Sequence, residues 1–237
     1  MRILLLLVTC LFYLSTSAQV RIGGQLGYSR VTWVSVNHVN DPNNDFSFKT
    51  SGQEGFQNGI VAEIKLFGKW YLRPILFVTG KGTWISSTTS FDTSSVGIWI
   101  RYIELPIAVI NQFHISNKLS AIIGGGGYAA YGIRGIEKGK GKSYDGPHLF
   151  LSPLQFETHV YGNGFQVPPG IIYPFDYGLT FLAGIEDKNV QLLINYSRGL
   201  KKLLPNGEFY NVNYVNNSVT FSVAYLIDTK LIKKWFR

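Results

Sequence analysis

Hydrophobic and polar residues alternate with a period of two in eight separate stretches of the chain. In "VRIGGQLGYS" (20–29), Val20, Ile22, Leu26 and Tyr28 alternate with Arg21, Gly23, Gln25, Gly27 and Ser29. In "QNGIVAEIKLF" (57–67), Ile60, Ala62, Ile64 and Leu66 oppose Gln57, Gly59, Glu63 and Lys65. Residues 70–84 set Leu72, Pro74, Leu76 and Val78 against Arg73, Thr79 and Lys81. Pro74 cannot donate a ladder hydrogen bond, so it marks a bulge or local irregularity there. "RYIELPIAVI" (101–110) sets Ile103, Leu105, Ile107 and Val109 against Tyr102, Glu104 and Pro106. A fifth stretch, 118–132, has its phase hidden by glycines. In "FDYGLTFLAGIE" (175–186) the set Asp176, Gly178, Thr180, Leu182, Gly184 and Glu186 opposes Tyr177, Leu179, Phe181, Ala183 and Ile185. Residues 190–200 and 218–227 alternate in the same way. This period predicts eight β-strands, each with two unlike faces.

The connections alternate too. After the second, fourth and sixth stretches they are short: "GK", "NQFHISN" and "DKN". After the first, third, fifth and seventh they span 34–56, 85–98, 133–174 and 201–217. Short turns at one end and long loops at the other are the plan of an antiparallel up-and-down transmembrane barrel. The two faces decide between a soluble and a membrane barrel. The apolar set is too rich in Leu, Ile, Tyr and Phe to fit inside eight strands, whose interior only just accommodates side chains. It therefore faces lipid, and the glycines and sparse polar residues face a narrow interior. A closed ring also leaves no unpaired strand edge in hydrocarbon. Arg21, Glu63, Lys65, Arg73, Lys81, Glu104, Asp176 and Glu186 become interior charges of both signs, a network that is structural or lines a pore. Burial obliges them to pair. Glu104 and Asp176, nearest the long loops, pair with Lys81 and Arg101 or line a small vestibule.

Composition fits this inversion. Charged residues make up 15% of the chain, against about a quarter in a soluble domain. Residues 1–18 carry a short positive start, an apolar run from Ile3 to Leu14 and small residues ending at Ala18, which reads as a secretory signal peptide. The single cysteine, Cys10, lies inside that run, so the exported part has no disulfide framework and no thiolate metal site. The net charge of +8 on an exported chain reads as surface chemistry near anionic lipid, not as a nucleic-acid footprint. Trp70, Tyr71, Phe67 and Phe113 by the short turns, and Trp33, Trp84 and Trp99 by the long loops, are placed as two interfacial girdles.

Candidate chemistry is thin. "FHISNK" contains His114, Ser116 and Asn117, a string like that of lipid A deacylases, where His114 would be base and Ser116 nucleophile. The next acid is Glu137, and the string falls in a short turn away from the outer leaflet, so it reads as a polar hairpin turn. His148 and His159 share the third long loop with Asp145 and Glu157, but nothing in the spacing fixes a metal geometry. "GGGG" (124–127) lacks the Lys-Ser/Thr of a phosphate loop and reads as close strand packing. The third long loop is basic and glycine-rich at first, then carries Leu149, Phe150, Leu151, Leu154 and Phe156. A loop of that length is usually functional or disordered, and it is the expected contact element, with lipopolysaccharide phosphates or a protein partner.

"YIELPIAVI" (102–110), "FDYGLTFLAGIE" and "QLLINYSRGLKKLLP" (191–205) resemble the PorT-like outer-membrane β-barrel family of Gram-negative bacteria. The resemblance implies an eight-stranded, porin-like barrel in the outer membrane. It implies no established activity, though one branch is associated with secretion and gliding machinery. The expectation is therefore an all-β protein with a signal peptide (1–18), a barrel (19–227) and a basic periplasmic tail (228–237). It binds no cofactor, catalyses nothing, and serves a structural or surface-recognition role among outer-membrane lipid, lipopolysaccharide and external partners. A narrow porin-like channel and a component of a secretion or gliding apparatus are the alternatives, and a deacylase stands behind them.

Overall fold

The computed structural model describes residues 19–35, 47–88, 93–116, 118–143, 146–153, 155–156, 171–204 and 214–229. They form strands β1 (Val20–Ser35), β2 (Ser47–Phe67), β3 (Trp70–Thr88), β4 (Thr93–His114), β5 (Leu119–Ser143), β6 (Gly146–Pro153), β7 (Gln155–Phe156), β8 (Ile171–Ile172), β9 (Phe175–Asp187), β10 (Val190–Gly199) and β11 (Tyr214–Asp228). Eight of these, β1–β5 and β9–β11, pair antiparallel around a closed ring. β1 closes on β11, and β5 pairs with both β4 and β9. Closure gives each of the eight ring strands a partner on both sides, the condition for crossing hydrocarbon with sheet. Among the described residues no helix is long and apolar enough to cross a membrane.

The alternation in the sequence becomes a difference between inside and outside. On β9 exposed and buried positions alternate almost without a break, with Tyr177, Leu179, Phe181 and Ile185 outward and Asp176, Thr180, Leu182 and Glu186 inward. The phase of β5 is set by its neighbours: Ile122, Tyr128 and Ala130 point inward, Ile123 and Tyr131 outward. Gly126 lies on the inward register, where a Cβ would meet the Ile107 carbonyl oxygen at 2.0 Å. Only a missing side chain permits β4 and β5 to approach so closely there. Pro74 interrupts the recorded pairing between Val61–Ile75 and Ile64–Leu72 without shifting its register, a gap in the ladder and not a bulge.

Several expectations need correction. The strands run further toward the long loops than the alternation shows. β2 begins at Ser47, β4 at Thr93, and β5 continues to Ser143. Residues 133–143 are therefore strand and not loop, and β6 pairs back on them from Ser143↔Gly146 to Ile136↔Pro153. These upper portions lie beyond the apolar belt, where hydrogen bonding alone holds a strand and no hydrophobic period is imposed. At the other end β4 continues through His114, so the connection begins only at Ile115. Trp33 is not part of an outer girdle. It is fully buried inside the barrel. Tyr71 likewise packs inward, against a buried cluster of Ala108, Ile110, Ile122, Leu182 and Leu193. Phe67, Trp70 and Phe113 do face outward at the short-turn end. Residues 1–18, expected as a signal peptide, and residues 230–237 of the expected tail lie outside the described residues, and β11 reaches Asp228, whose Oδ2 accepts from Gln19 Nε2 at 2.9 Å.

Candidate functional site

The inward residues gather into two charged layers across the lumen. The layer near the short turns draws on six strands: Arg21 and Gln25 from β1, Glu63 from β2, Arg73 from β3, Gln112 from β4, Glu186 from β9 and Gln191 from β10. Arg21 pairs with Glu63 and grips Glu186 with both terminal nitrogens, Nη1–Oε1 at 2.5 Å and Nη2–Oε2 at 3.0 Å. Arg73, fully buried, pairs with Glu63 and donates to Gln191 Oε1 at 2.6 Å and Gln25 Oε1 at 2.9 Å. The Gln191 amide donates to Glu63 at 2.9 Å and Glu186 at 2.6 Å, and Gln112 donates to both carboxylates at 3.3 Å. Two guanidinium groups face two carboxylates, so the layer is neutral. Buried ions are tolerated only when paired and hydrogen-bonded in this manner.

The second layer lies toward the long loops. Lys81 Nζ is 2.6 Å from Glu104 Oε2 and 3.7 Å from Asp176 Oδ2. Tyr128 Oη and Asn216 Nδ2 donate to the same Asp176 oxygen at 3.1 and 2.8 Å. The ammonium also sits 4.2 Å from the Tyr128 ring centroid, a contact that favours a desolvated cation. Above this layer Trp33, Ile98, Ile100, Tyr102, Leu203 and Tyr214 close the lumen with apolar side chains. Between the layers the lumen holds a cavity of about 30 Å³, reached by Ser29, Thr79, Thr180, Asn195, Ser197 and Thr220. That is room for one or two water molecules.

Seven of the eight charged residues singled out in the sequence thus meet in two groups. Lys65 joins neither. It is half-buried next to the β2–β3 turn, where the register shifts between Lys65 and Phe67. Arg101 is not a partner of Glu104 or Asp176, because it faces outward while its neighbour Tyr102 faces in. Gln25 and Gln191 stood on the polar register of their strands, but a neutral amide gives no signal of its role as a bridge between ions. Gln112 was hidden in an expected turn, Tyr128 in the glycine-rich strand, and Asn216 in an expected loop.

The deacylase-like string resolves into a turn. His114 ends β4, exposed, and the Ser116 hydroxyl accepts the Leu119 N–H at 3.3 Å. Among the described residues no three His, Cys, Asp or Glu side chains gather as a metal site. Asp145, Glu157 and His159 lie outside those residues, and only the backbone of His148, on β6, is described.

A family model for the outer membrane protein beta-barrel domain matches residues 15–205. No curated protein matches the chain in sequence. Among solved structures the chain is similar to the attachment invasion locus protein Ail of Yersinia pestis, at 10% identity over 88% of this chain and 99% of that one, with a TM-score of 0.35. It is similar to OprG of Pseudomonas aeruginosa at 10% identity, over 89% and 96% of the two chains, with a TM-score of 0.44. Neisserial surface protein A is similar at 13% identity, over 86% and 96%, with a TM-score of 0.37.

Proposed function

The chain belongs to the family of outer-membrane protein β-barrel domains, and from that premise we propose a non-conducting, non-enzymatic barrel that carries a recognition surface outside the cell. One observation supports this above all: the lumen is crossed by two hydrogen-bonded ionic layers with only about 30 Å³ of space between them. Eight strands close too tightly for an aqueous channel, which in porins takes 16–18. With the interior occupied, the working surface is the loop end. There β5 and β6 project as a hairpin, paired on one side to the upper part of β4. β6 ends that sheet with a free edge among the described residues, a feature able to accept an added strand from a partner. The Tyr102-x-Glu104-x-Pro106 element and the Asp176-x-Gly178 strand resemble the PorT-like family, one branch of which is associated with secretion and gliding machinery, though neither motif selects that branch. In that branch the hairpin would be a protein contact within a secretion or gliding apparatus.

The test is planar-bilayer recording of the purified barrel together with surface capture by intact cells. The full-length protein should show no steady ohmic conductance. Removal of 136–153 should leave a heat-modifiable barrel that no longer captures its partner in outer-membrane crosslinking. Steady conductance would turn the reading toward the narrow channel, which the polar lining of the inner cavity favours. Release of fatty acid from lipid A, lost on Ser116→Ala, would turn it toward an enzyme.

A further inference from the structure

A register irregularity on the outer wall places two arginines side by side. Between β4 and β5, Tyr102 pairs with Gly132, whereas Arg101 pairs with Arg134, so Ile133 is one residue too many. Below this bulge the odd-numbered residues of β5 face outward, as Ile123 and Tyr131 do. Above it the even-numbered ones do, as Ile136 and Lys138 show, and Ile133 and Arg134 are exposed in succession. Without the extra residue Arg134 would point into the lumen. Bulges of this kind re-aim a side chain, and here the bulge sets Arg134 directly across from Arg101.

Like charges directly opposite on a sheet repel. Neither guanidinium takes part in an ion pair among the described residues. One acid, Glu54, lines the same groove; it stands opposite Arg30 in the β1–β2 register, and it makes no ion pair with either arginine among the described residues. Arg101's other neighbour is Gly80 on β3, where a Cβ would meet nothing within 4 Å. The missing side chain leaves a groove of about 650 Å³, walled by Phe56, Val78, Trp99 and Ile136, with Glu54 also on its wall, and ending at Arg101 and Arg134.

The groove lies at the margin of the apolar belt. Along β4 the exposed large side chains run Phe113, Val109, Ile107, Leu105 and Ile103, and the next outward residue is Arg101. From Phe113 to Ile103 the strand climbs about 25 Å along the membrane normal, taking ~3.3 Å per residue and ~40° of tilt. That is the height of the apolar band of such barrels. The arginine pair therefore stands where the outer leaflet's headgroups begin.

We propose that this groove binds the phosphorylated glycolipid of the outer leaflet, the lipid A part of lipopolysaccharide. Its phosphate lies between Arg101 and Arg134, turning their repulsion into a shared clamp, since guanidinium groups match phosphate in bidentate geometry. Its acyl chains descend past Phe56 and Val78, and its sugar rests by Trp99. The apolar walls are what select a lipid over free phosphate. The site is separate from the projecting hairpin and rests only on the barrel's place in the outer membrane.

The experiment is native mass spectrometry of the refolded full-length barrel in detergent micelles. The probes are phosphorylated lipid A, enzymatically dephosphorylated lipid A and phosphatidylglycerol. Wild type should hold one lipid A molecule. The Arg101→Gln/Arg134→Gln variant should bind it at least tenfold more weakly, with heat-modifiable gel mobility unchanged. Gly80→Leu fills the groove without touching either charge and should weaken binding as much, while Lys138→Gln should change it less than threefold. Equal binding of dephosphorylated lipid A, equal binding of phosphatidylglycerol, or undiminished binding by both groove variants would overturn the assignment. Micelle binding needs no cellular location, so such a failure would leave the barrel reading intact.

Discussion

Replacing Arg73 by Met tests whether the inner layer near the short turns is a stabilising unit. Arg73 is fully buried and serves three acceptors, on Glu63, Gln191 and Gln25. Its loss takes the layer from neutral to one uncompensated negative charge. Removing one partner of a buried pair costs about 3–5 kcal/mol. Glu63 keeps Arg21, Gln112 and Gln191 as partners, so the lower end, about 3 kcal/mol, is expected. The double variant Glu63→Gln/Arg73→Met restores neutrality with Arg21 facing Glu186. It should recover about 2 kcal/mol of that loss, a coupling of the size found between residues in one network. Urea unfolding in lipid vesicles, followed by gel mobility of boiled and unboiled samples, measures both. The reasoning fails if the single variant unfolds within about 0.5 kcal/mol of wild type, below the range for a buried pair. It fails equally if the double variant is no more stable than the single.

Lys81→Met leaves Glu104 and Asp176 buried together without their cation. It should destabilise the barrel by about 3 kcal/mol, and adding Glu104→Gln should recover part of the loss in the same unfolding assay. Gly126→Val forces a side chain onto the β4 backbone and should cost at least about 1–3 kcal/mol. Gly127→Val, whose Cβ would meet the Gly178 carbonyl oxygen at an ordinary 3.4 Å, should fold with normal heat-modifiable mobility. Lys188 holds φ at 57° in the β9–β10 turn. Relief of that left-handed strain by Lys188→Gly should raise stability by about 1 kcal/mol, read as a higher urea midpoint.

The barrel was legible where two solvents disciplined the chain. Lipid outside and a crowded lumen inside impose a strict period of two, so strands such as 175–186 disclose both their existence and their orientation. Above the belt both faces leave the hydrocarbon, and the upper parts of β2, β4 and β5 carry no apolar period. The Lys-Gly alternation from Lys138 to Lys142 was a strand signal of a different kind, with no hydrophobic member to mark it. Trp33 shares its register with Ser29 and Val31 and so points inward; nearness to a loop is a weaker guide than parity. The ion partners were not legible, because pairing across the lumen depends on register around the ring. Arg73 and Arg101 differ in no way as residues, yet one is sealed inside and the other faces out. Arg134 needed the single extra residue at Ile133, which no periodicity announces.

The seam between β1 and β11 joins the first strand of the ring to the last, from Arg21↔Asp228 to Ser35↔Tyr214. Arg21 stands on the first strand and the carboxylate it grips, Glu186, on the antepenultimate strand of the ring. A half-made sheet lying in the bilayer would present naked ions to oil, with their counterparts still waiting in the periplasm. Neutralisation of the layer near the short turns therefore requires β9. That layer is electrically silent only in the finished ring, and a chain cut short before β9 leaves it one positive charge in excess.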